Sequence, residues 1–366
     1  MKMKDKNLLK PIDISRALCD TVINTYEPEK LPGPEGRFDY IQGVFLLGMQ
    51  RINNICRETR YFDYIKAWAD SMISDDGVIK CQNDWLDDMM PAVLLFDLYK
   101  ETGMEKYKTA LESTVGRFKT WKRNKYGGFY HMFKTKDQMW LDGLFMGGLL
   151  LSRYAEECGA PEYLDEVYHQ TKLMHDYMRD EKTGLYYHAW DASCEQPWAD
   201  PETGLSSEFW GRAQGWVTVA ICDMLDYFPE NHPRRQEMID ILADLLSALA
   251  RYQNKDTGLW YQVVDKGQLE DNWCETSCSS LFAYSFHKAV RMGYIGRKFA
   301  EVSERAYRGV LGKTDINDDG SIVIHDISVG TCVMDYKGYV ERPRVDNDNH
   351  GTGTFLLMCS EYSLGD

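Results

Sequence analysis

A polar turn containing glycine recurs along the chain, each time followed by a short stretch rich in aromatic or β-branched residues. It reads SDDGVIKC at 74–81, KYGGFYHMF at 125–133, EKTGLYYHAW at 181–190, KDTGLWYQVV at 255–264 and NDDGSIVIHD at 317–326. Taking Gly77, Gly128, Gly184, Gly258 and Gly320, the steps are 51, 56, 74 and 62 residues. That spacing is too irregular for a short solenoid repeat and suits helix pairs. GPEGRFDY at 33–40 is a weaker, earlier member.

Before each turn lies an amphipathic segment: ISRALCDTVINTY, YFDYIKAWADSMIS, YKTALESTVGRFKTW, YLDEVYHQTKLMHDYM, RRQEMIDILADLLSALARY and RKFAEVSERAYRGVL. Their charges fall on one face, as in helices with one side in water. After each turn comes a segment apolar nearly all round and rich in small residues: YIQGVFLLGMQRI, MMPAVLLFDLYKE, LFMGGLLLSRYAEE, AQGWVTVAICDMLDYF, SCSSLFAYSFHKAV and GTGTFLLMCSEY. Such helices are buried on both sides and pack closely through Gly, Ala and Ser. Six outer and six inner helices in alternation close most naturally into an all-α (α/α)6 barrel spanning residues 1–366 as one catalytic domain. An open solenoid is the alternative, but its inner helices need only one buried face. The short aromatic strands read as β-hairpins at the barrel mouth.

Bulk properties narrow the function. With 44% hydrophobic and 13% aromatic residues, the 366-residue chain can bury a large core. Its formal charge of −15 disfavours a nucleic-acid or acidic-membrane surface, which needs clustered Lys and Arg. The N-terminus MKMKDKNLLKPIDISRALCD lacks the apolar stretch of a secretory signal, and no run of about 18 apolar residues suggests a membrane span. Ten widely spaced cysteines suit reduced core thiols, so a soluble cytoplasmic protein is expected.

The inner helices carry a second pattern at their N-terminal ends: a Trp followed two residues later by an ionisable group. It appears as Trp85 and Asp87, Trp140 and Asp142, Trp210 and Arg212, and Trp273 and Glu275, with Asp348 and His350 in the sixth unit and Tyr40 in the first. Equivalent points on barrel helices converge at one end. A carboxylate at a helix N-terminus is otherwise explained by the helix dipole, but Arg212 opposes that dipole and calls for an anionic partner. Asp142 is also costly inside an apolar run unless it is paired or serves chemistry. Two Asp, an Arg, a Glu, a His and aromatic faces around one pocket describe a saccharide site.

DQMWLDGLFM at 137–146, SEFWGRAQGW at 207–216, YYHAWD at 186–191, WLDDMMP at 85–91 and NDNHGTGTFLL at 347–357 resemble unsaturated rhamnogalacturonyl hydrolases, glycoside hydrolase family 105. The likeness runs from about residue 38 to 357. Unsaturated glucuronyl hydrolases of family 88 share the barrel and much of this set. The resemblance implies removal of a terminal 4,5-unsaturated uronic acid from lyase-generated oligosaccharides, by acid-catalysed hydration of its vinyl ether and without a cofactor or metal. It implies Asp142 as proton donor and water-activating base, assisted by Asp87 and His188. Arg212 would hold an anionic sugar group, Trp210 and Trp216 would bound the ring, and Tyr40 and His131 would line the entrance beside Trp140 and His350. His188 also has a plainer reading, as an exposed loop histidine. Asp142 is expected to hold its proton near neutral pH once substrate excludes water, through desolvation and the like charge of Asp87.

Other signals point elsewhere. Asp315 to Asp326 fits a calcium-loop pattern but is not followed by a helix, so a hairpin turn is expected. Cys274 and Cys278 lack a second ligand pair for zinc. A sugar epimerase of the same barrel class would need histidines on several inner helices, where only His350 stands. A peptide-binding helical adaptor would leave Asp142 and Arg212 without a role.

Overall fold

In the computed structural model, which describes residues 9–365, the apolar segments form the inner wall of a closed ring. The inner helices are α2 (Tyr40–Cys56), α4 (Leu95–Thr102), α6 (Asp142–Glu157), α8 (Gly211–Met224), α10 (Thr276–Arg291) and α13 (Asn349–Tyr362). The outer helices are α1 (Pro11–Thr25), α3 (Thr59–Met72), α5 (Glu105–Arg117), α7 (Glu162–Met178), α9 (Arg235–Arg251) and α11 (Ala300–Gly312). A 3-10 stretch over Met90–Leu94 precedes α4, because Pro91 has no N–H to donate and occupies its first turn. Each inner element packs on the next, and α13 returns to α2, which closes an all-α (α/α)6 barrel and excludes the open solenoid.

The closing contact depends on two missing side chains. A Cβ on Gly48 of α2 would stand 2.5 Å from Leu356 Cβ, and one on Gly353 of α13 would stand 2.7 Å from the Phe45 backbone nitrogen. Glycine therefore lets the first and last inner helices approach backbone to backbone. Gly215 of α8 plays the same part against Leu281 of α10.

The recurring turns join outer to inner helices, and in each the glycine takes the left-handed conformation that a side chain resists: Gly77, Gly184, Gly258 and Gly320 all have φ between 73° and 86°. In KYGGFYHMF the left-handed residue is Gly127, with φ 89°, and not Gly128, which is instead pressed against Met139. A further copy at Asp200–Leu205, closed by Gly204 with φ 75°, escaped the sequence pattern.

Only one expected hairpin forms a ladder of named strands, β3 (Thr314–Ile316) with β4 (Ile322–Ile324), and it occupies the calcium-like segment. Of the other two ladders, one joins separate connections and one lies within the last connection. Strand β1 (Gln138–Trp140) pairs with β2 (Ala189–Asp191), and β5 (Ile327–Ser328) with β6 (Arg344–Val345). A thirteenth helix, α12 (Tyr336–Val340), lies in the last connection, where the repeat predicts none. The basic residues at the extreme N-terminus lie outside the described residues. No helix among the described residues is long and apolar enough to cross a membrane.

The far end of the barrel is filled by charge. Asp223 of α8 accepts from Arg51 Nη2 at 2.5 Å and from Lys288 Nζ at 2.7 Å, and also from Tyr284. Despite burial, Arg51 and Lys288 hold its carboxyl down at about 2.

Candidate active site

The N-terminal ends of the inner helices do meet at one end of the barrel. Asp142 is the first residue of α6, Arg212 the second of α8 and Tyr40 the first of α2, while Glu275 and Asp348 cap α10 and α13. Asp87 lies in the 3-10 turn Leu86–Asp88.

Strand register places the two histidines that belong to no inner helix. Because β1 pairs Trp140 with Ala189, His188 falls opposite Leu141, whose N–H donates to the His188 carbonyl at 3.0 Å. That puts His188 Nε2 3.1 Å from Asp142 Oδ2. His188 is fully buried, which removes the reading of it as an exposed loop residue. His131 is tied on both sides, its N–H to the Gln138 carbonyl at 2.9 Å and its carbonyl to the Leu86 N–H at 3.0 Å. Its Nε2 comes 3.4 Å from Asp87 Oδ1. It is 3% exposed and lies flat under Trp140, so it belongs to the interior and not, as expected, to the entrance.

Both carboxylates keep some access to solvent, with 11% of the Asp142 side chain and 16% of the Asp87 side chain exposed. In the free protein the two carboxyls are shifted in opposite directions. Burial alone would raise Asp142, but the electrostatic attraction and hydrogen bond of the His188 imidazole, helped by His131, outweigh it and hold Asp142 below the ordinary carboxylate value. Asp87 has no such partner. Burial, followed by the negative charges of Asp39, Asp142 and Asp88, pushes it well above the ordinary value against the pull of Arg37. Arg37 is committed to Asp88, at 2.6 Å, and Asp39 is itself pushed up to about 6, mainly by burial. Of the two carboxyls, Asp87 is therefore the one that holds a proton more tightly. Burial pushes His131 down to about 4, so it is uncharged at neutral pH.

Arg212 is 1% exposed and already engaged. Its guanidinium donates to the carbonyls of Ser328 at 2.6 Å and Val329 at 2.8 Å, and lies 4.7 Å from the Trp210 ring centroid. The anionic partner that its position called for is Glu275, at 4.0 Å. Glu275 in turn accepts from the N–H groups of Ser277, Cys278 and Ser328, so it is a helix cap that also ties down the β5 loop. Arg212 Nε has no hydrogen-bond partner among the described residues.

The two tryptophans expected to bound a sugar ring are interior. Trp216 is fully buried against Phe145, with ring centroids 4.6 Å apart, and meets Tyr40 edge-on. Trp210 is 1% exposed and lies between His188 and Tyr339. The partly exposed aromatics at the mouth are Trp85 and Trp198, packed beside Met132, Trp140 and Val333. The Trp85 ring lies between the guanidinium of Arg37 at 4.2 Å and the Lys134 ammonium at 4.6 Å. Tyr40 is half-buried, and its hydroxyl meets His350 Nε2 at 2.7 Å. His350 Nδ1 meets Asp348 at 2.5 Å. A groove of about 880 Å³ lined by His287, Arg291, Glu304, Arg308 and Tyr362 lies near the opposite end of α10, away from these groups.

Sequence reasoning missed Tyr339, whose hydroxyl is 2.6 Å from His188 Nδ1, and Arg37, Asp39 and Asp88, which set the proton affinity of Asp87. Of these, the RFDY start of α2, where Asp39 accepts from the Ile41 N–H, carried a legible capping signal.

A closed α/α barrel with paired carboxylates at the N-terminal end of its inner helices defines a class of carbohydrate-active enzymes. The chain belongs to the group of glycoside hydrolases described as Glycosyl Hydrolase Family 88, whose family model matches residues 14–364. It is similar to a family 105 glycoside hydrolase of Clostridium acetobutylicum ATCC 824, 32% identical over 96% of this chain and 99% of that one, with a TM-score of 0.91. It is 26% identical to the unsaturated rhamnogalacturonyl hydrolase YesR of Bacillus subtilis, over 88% of this chain and 89% of that protein. The unsaturated glucuronyl hydrolase of Bacillus sp. GL1 shares the fold, with a TM-score of 0.71 over 96% of this chain and 94% of that one at 12% identity.

Proposed function

We propose that this chain removes the terminal 4,5-unsaturated uronic acid from oligosaccharides left by polysaccharide lyases, those of rhamnogalacturonan type first among them. The observation that carries the reading is Asp142, at the start of α6, hydrogen-bonded to a buried His188 while a second carboxyl, Asp87, stands at the same end of the barrel. The likeness to a rhamnogalacturonyl hydrolase supports the choice of substrate.

The chemistry asks for an acid, then a base. A proton is delivered to C4 of the vinyl ether, positive charge develops at C5 and the ring oxygen, and water adds at C5. The hemiketal so formed opens and releases the second sugar together with a keto-aldehyde. Asp142 gives the proton and then accepts one from the attacking water. Between turnovers it is ionised, so it acquires a proton when substrate displaces water and brings its own carboxylate, both of which raise an acid. The α6 N-terminus opposes this by only about 0.3–1 kcal/mol. Asp87, whose proton affinity is raised by burial and by its acidic neighbours, donates a hydrogen bond when protonated and then adds no second negative charge beside the substrate. The distance rule that separates retaining from inverting glycosidases has no bearing, because carbon is protonated before water adds. All ten cysteines are unpaired, which favours a reducing compartment such as the cytoplasm.

The test is the ultraviolet absorbance of the conjugated enoate, followed during incubation with rhamnose-linked, glycosaminoglycan-derived and ulvan-derived unsaturated disaccharides. Loss with the rhamnose-linked compound is expected. Loss only with the glycosaminoglycan compound would move the assignment to glucuronyl hydrolysis, and no loss with any would overturn it.

A further inference from the structure

We infer that Tyr339 is a positioning residue that decides which nitrogen of His188 carries the proton, and so keeps Asp142 supplied with a hydrogen-bond donor. The inference rests on the proposed function for its kinetic consequences, but the proton position stands on geometry alone. The Tyr339 hydroxyl is fully buried, 2.6 Å from His188 Nδ1, and accepts from the Met334 backbone N–H at 3.1 Å. A phenol has one proton to give. With the Met334 N–H already occupying one acceptor position of the oxygen, that proton is best placed on Nδ1, which is then the unprotonated nitrogen. Nε2 carries the ring proton and donates it to Asp142 Oδ2 at 3.1 Å.

The opposite tautomer is doubly penalised. It would turn a nitrogen lone pair toward a carboxylate oxygen and leave the buried Tyr339 proton with no acceptor among the described residues, both unfavourable away from water. Nothing else around the ring competes. From α6 it faces Asp142, from α12 Tyr339, from the preceding connections neutral His131, and the remaining contacts are the indole faces of Trp140 and Trp210.

The phenol is held by bonds that α12 could not supply by itself. Asp335 caps the helix by accepting from Gly338 N–H, Gln262 Nε2 donates to the Tyr339 carbonyl at 3.2 Å, and Trp273 Nε1 donates to the Val340 carbonyl at 3.2 Å. Trp210 lies nearly parallel to the phenol, 20° between planes. A five-residue helix outside the barrel repeat is thus anchored from two other connections at the point where its tyrosine meets the imidazole. In the reaction, proton delivery leaves Asp142 as a carboxylate, and the fixed Nε2–H donates to that form, which must then receive a proton from water.

The experiment uses the full chain labelled with ¹⁵N in histidine imidazoles, with His188 assigned by its absence in H188Q. At neutral pH the native His188 should show a pyridine-type Nδ1 and a pyrrole-type Nε2, and Y339F should move both toward intermediate shifts. Y339F should also lower kcat about tenfold with KM changed less than about twofold. An inflection of its kcat/KM profile should move by about half a pH unit or more. Substituting 3-fluorotyrosine at 339, which keeps the O–H, should restore kcat. A protonated Nδ1 in the native protein, or identical spectra in native protein and Y339F, would overturn the inference. Should no unsaturated uronide be turned over, the function falls while the native spectrum still decides the tautomer.

Discussion

His131 lies against Trp140 with ring centroids 4.4 Å apart and planes 10° from parallel, while His188 meets the same indole edge-on at 5.7 Å. One indole therefore separates two histidines, and each histidine faces a different carboxylate. His188 donates to Asp142, whereas His131, neutral and 3.4 Å from Asp87, supplies no charge to it. The consequence is a division of labour between two acids of the same end of the barrel, one with its proton affinity lowered and one with it raised.

Asp142→Asn removes the group that gives and takes the proton. Turnover of the unsaturated disaccharide should fall by about two to four orders of magnitude, with the far-ultraviolet helical spectrum unchanged. Near-native loss of enoate absorbance in the variant would show that another group is the acid.

Asp87→Asn substitutes a permanently neutral donor for a carboxyl whose proton affinity is raised. Because Asp87 is raised, it ionises as pH increases, and native kcat/KM should fall on that alkaline side as two carboxylates come to face one another. The variant should lose less activity than Asp142→Asn and lack the alkaline fall. A rate profile with the native shape would remove Asp87 from the pH dependence.

Arg212→Lys keeps the charge but gives up the planar fork that spans the Ser328 and Val329 carbonyls. Stability should drop by about 1–3 kcal/mol, seen as a lower urea midpoint at constant m-value. KM should rise as the β5 loop loosens. An unshifted midpoint would mean the two carbonyls find other donors at no cost.

Asp223, at the far end, carries a pH signature of stability. Its folded value of about 2 lies below the unfolded value of about 3.9, so its contribution is present above pH 4 and is lost as pH falls through 2. The linkage amounts to about 2 kcal/mol. Asp223→Asn should be destabilised at pH 6, through the stranded charges of Arg51 and Lys288, and should lose less further stability than native protein between pH 4 and pH 2. Parallel acid-unfolding curves for the two proteins would contradict this.

What could be read from the sequence follows a physical division. The inner helices announced themselves because a segment such as LFMGGLLLSRYAEE has no polar face to offer water, and a ring is the arrangement that hides both sides of six such helices. The Trp-to-ionisable spacing placed Asp87, Asp142, Arg212, Glu275 and Asp348 at helix starts, where they are found. His131 and His188 owe their partners to the register between separate connections, which one-dimensional spacing does not encode. Tyr339 sits on five helical residues, too few to show a period. The protonation order of the two acids depended on Arg37, Asp39 and Asp88, neighbours brought in by folding.

The glycine pair at Gly48 and Gly353 sets the order in which the molecule can be made. The two halves of that seam are about 300 positions apart, a separation whose loop entropy is met only late in folding. Until α13 arrives, α2 has an uncovered apolar flank on a nascent chain, the kind of surface that chaperones hold and that self-association exploits. Adding one methyl at Gly353, against the main chain of Phe45, would leave each arc intact and keep the two from meeting: a wall with every course laid and no keystone.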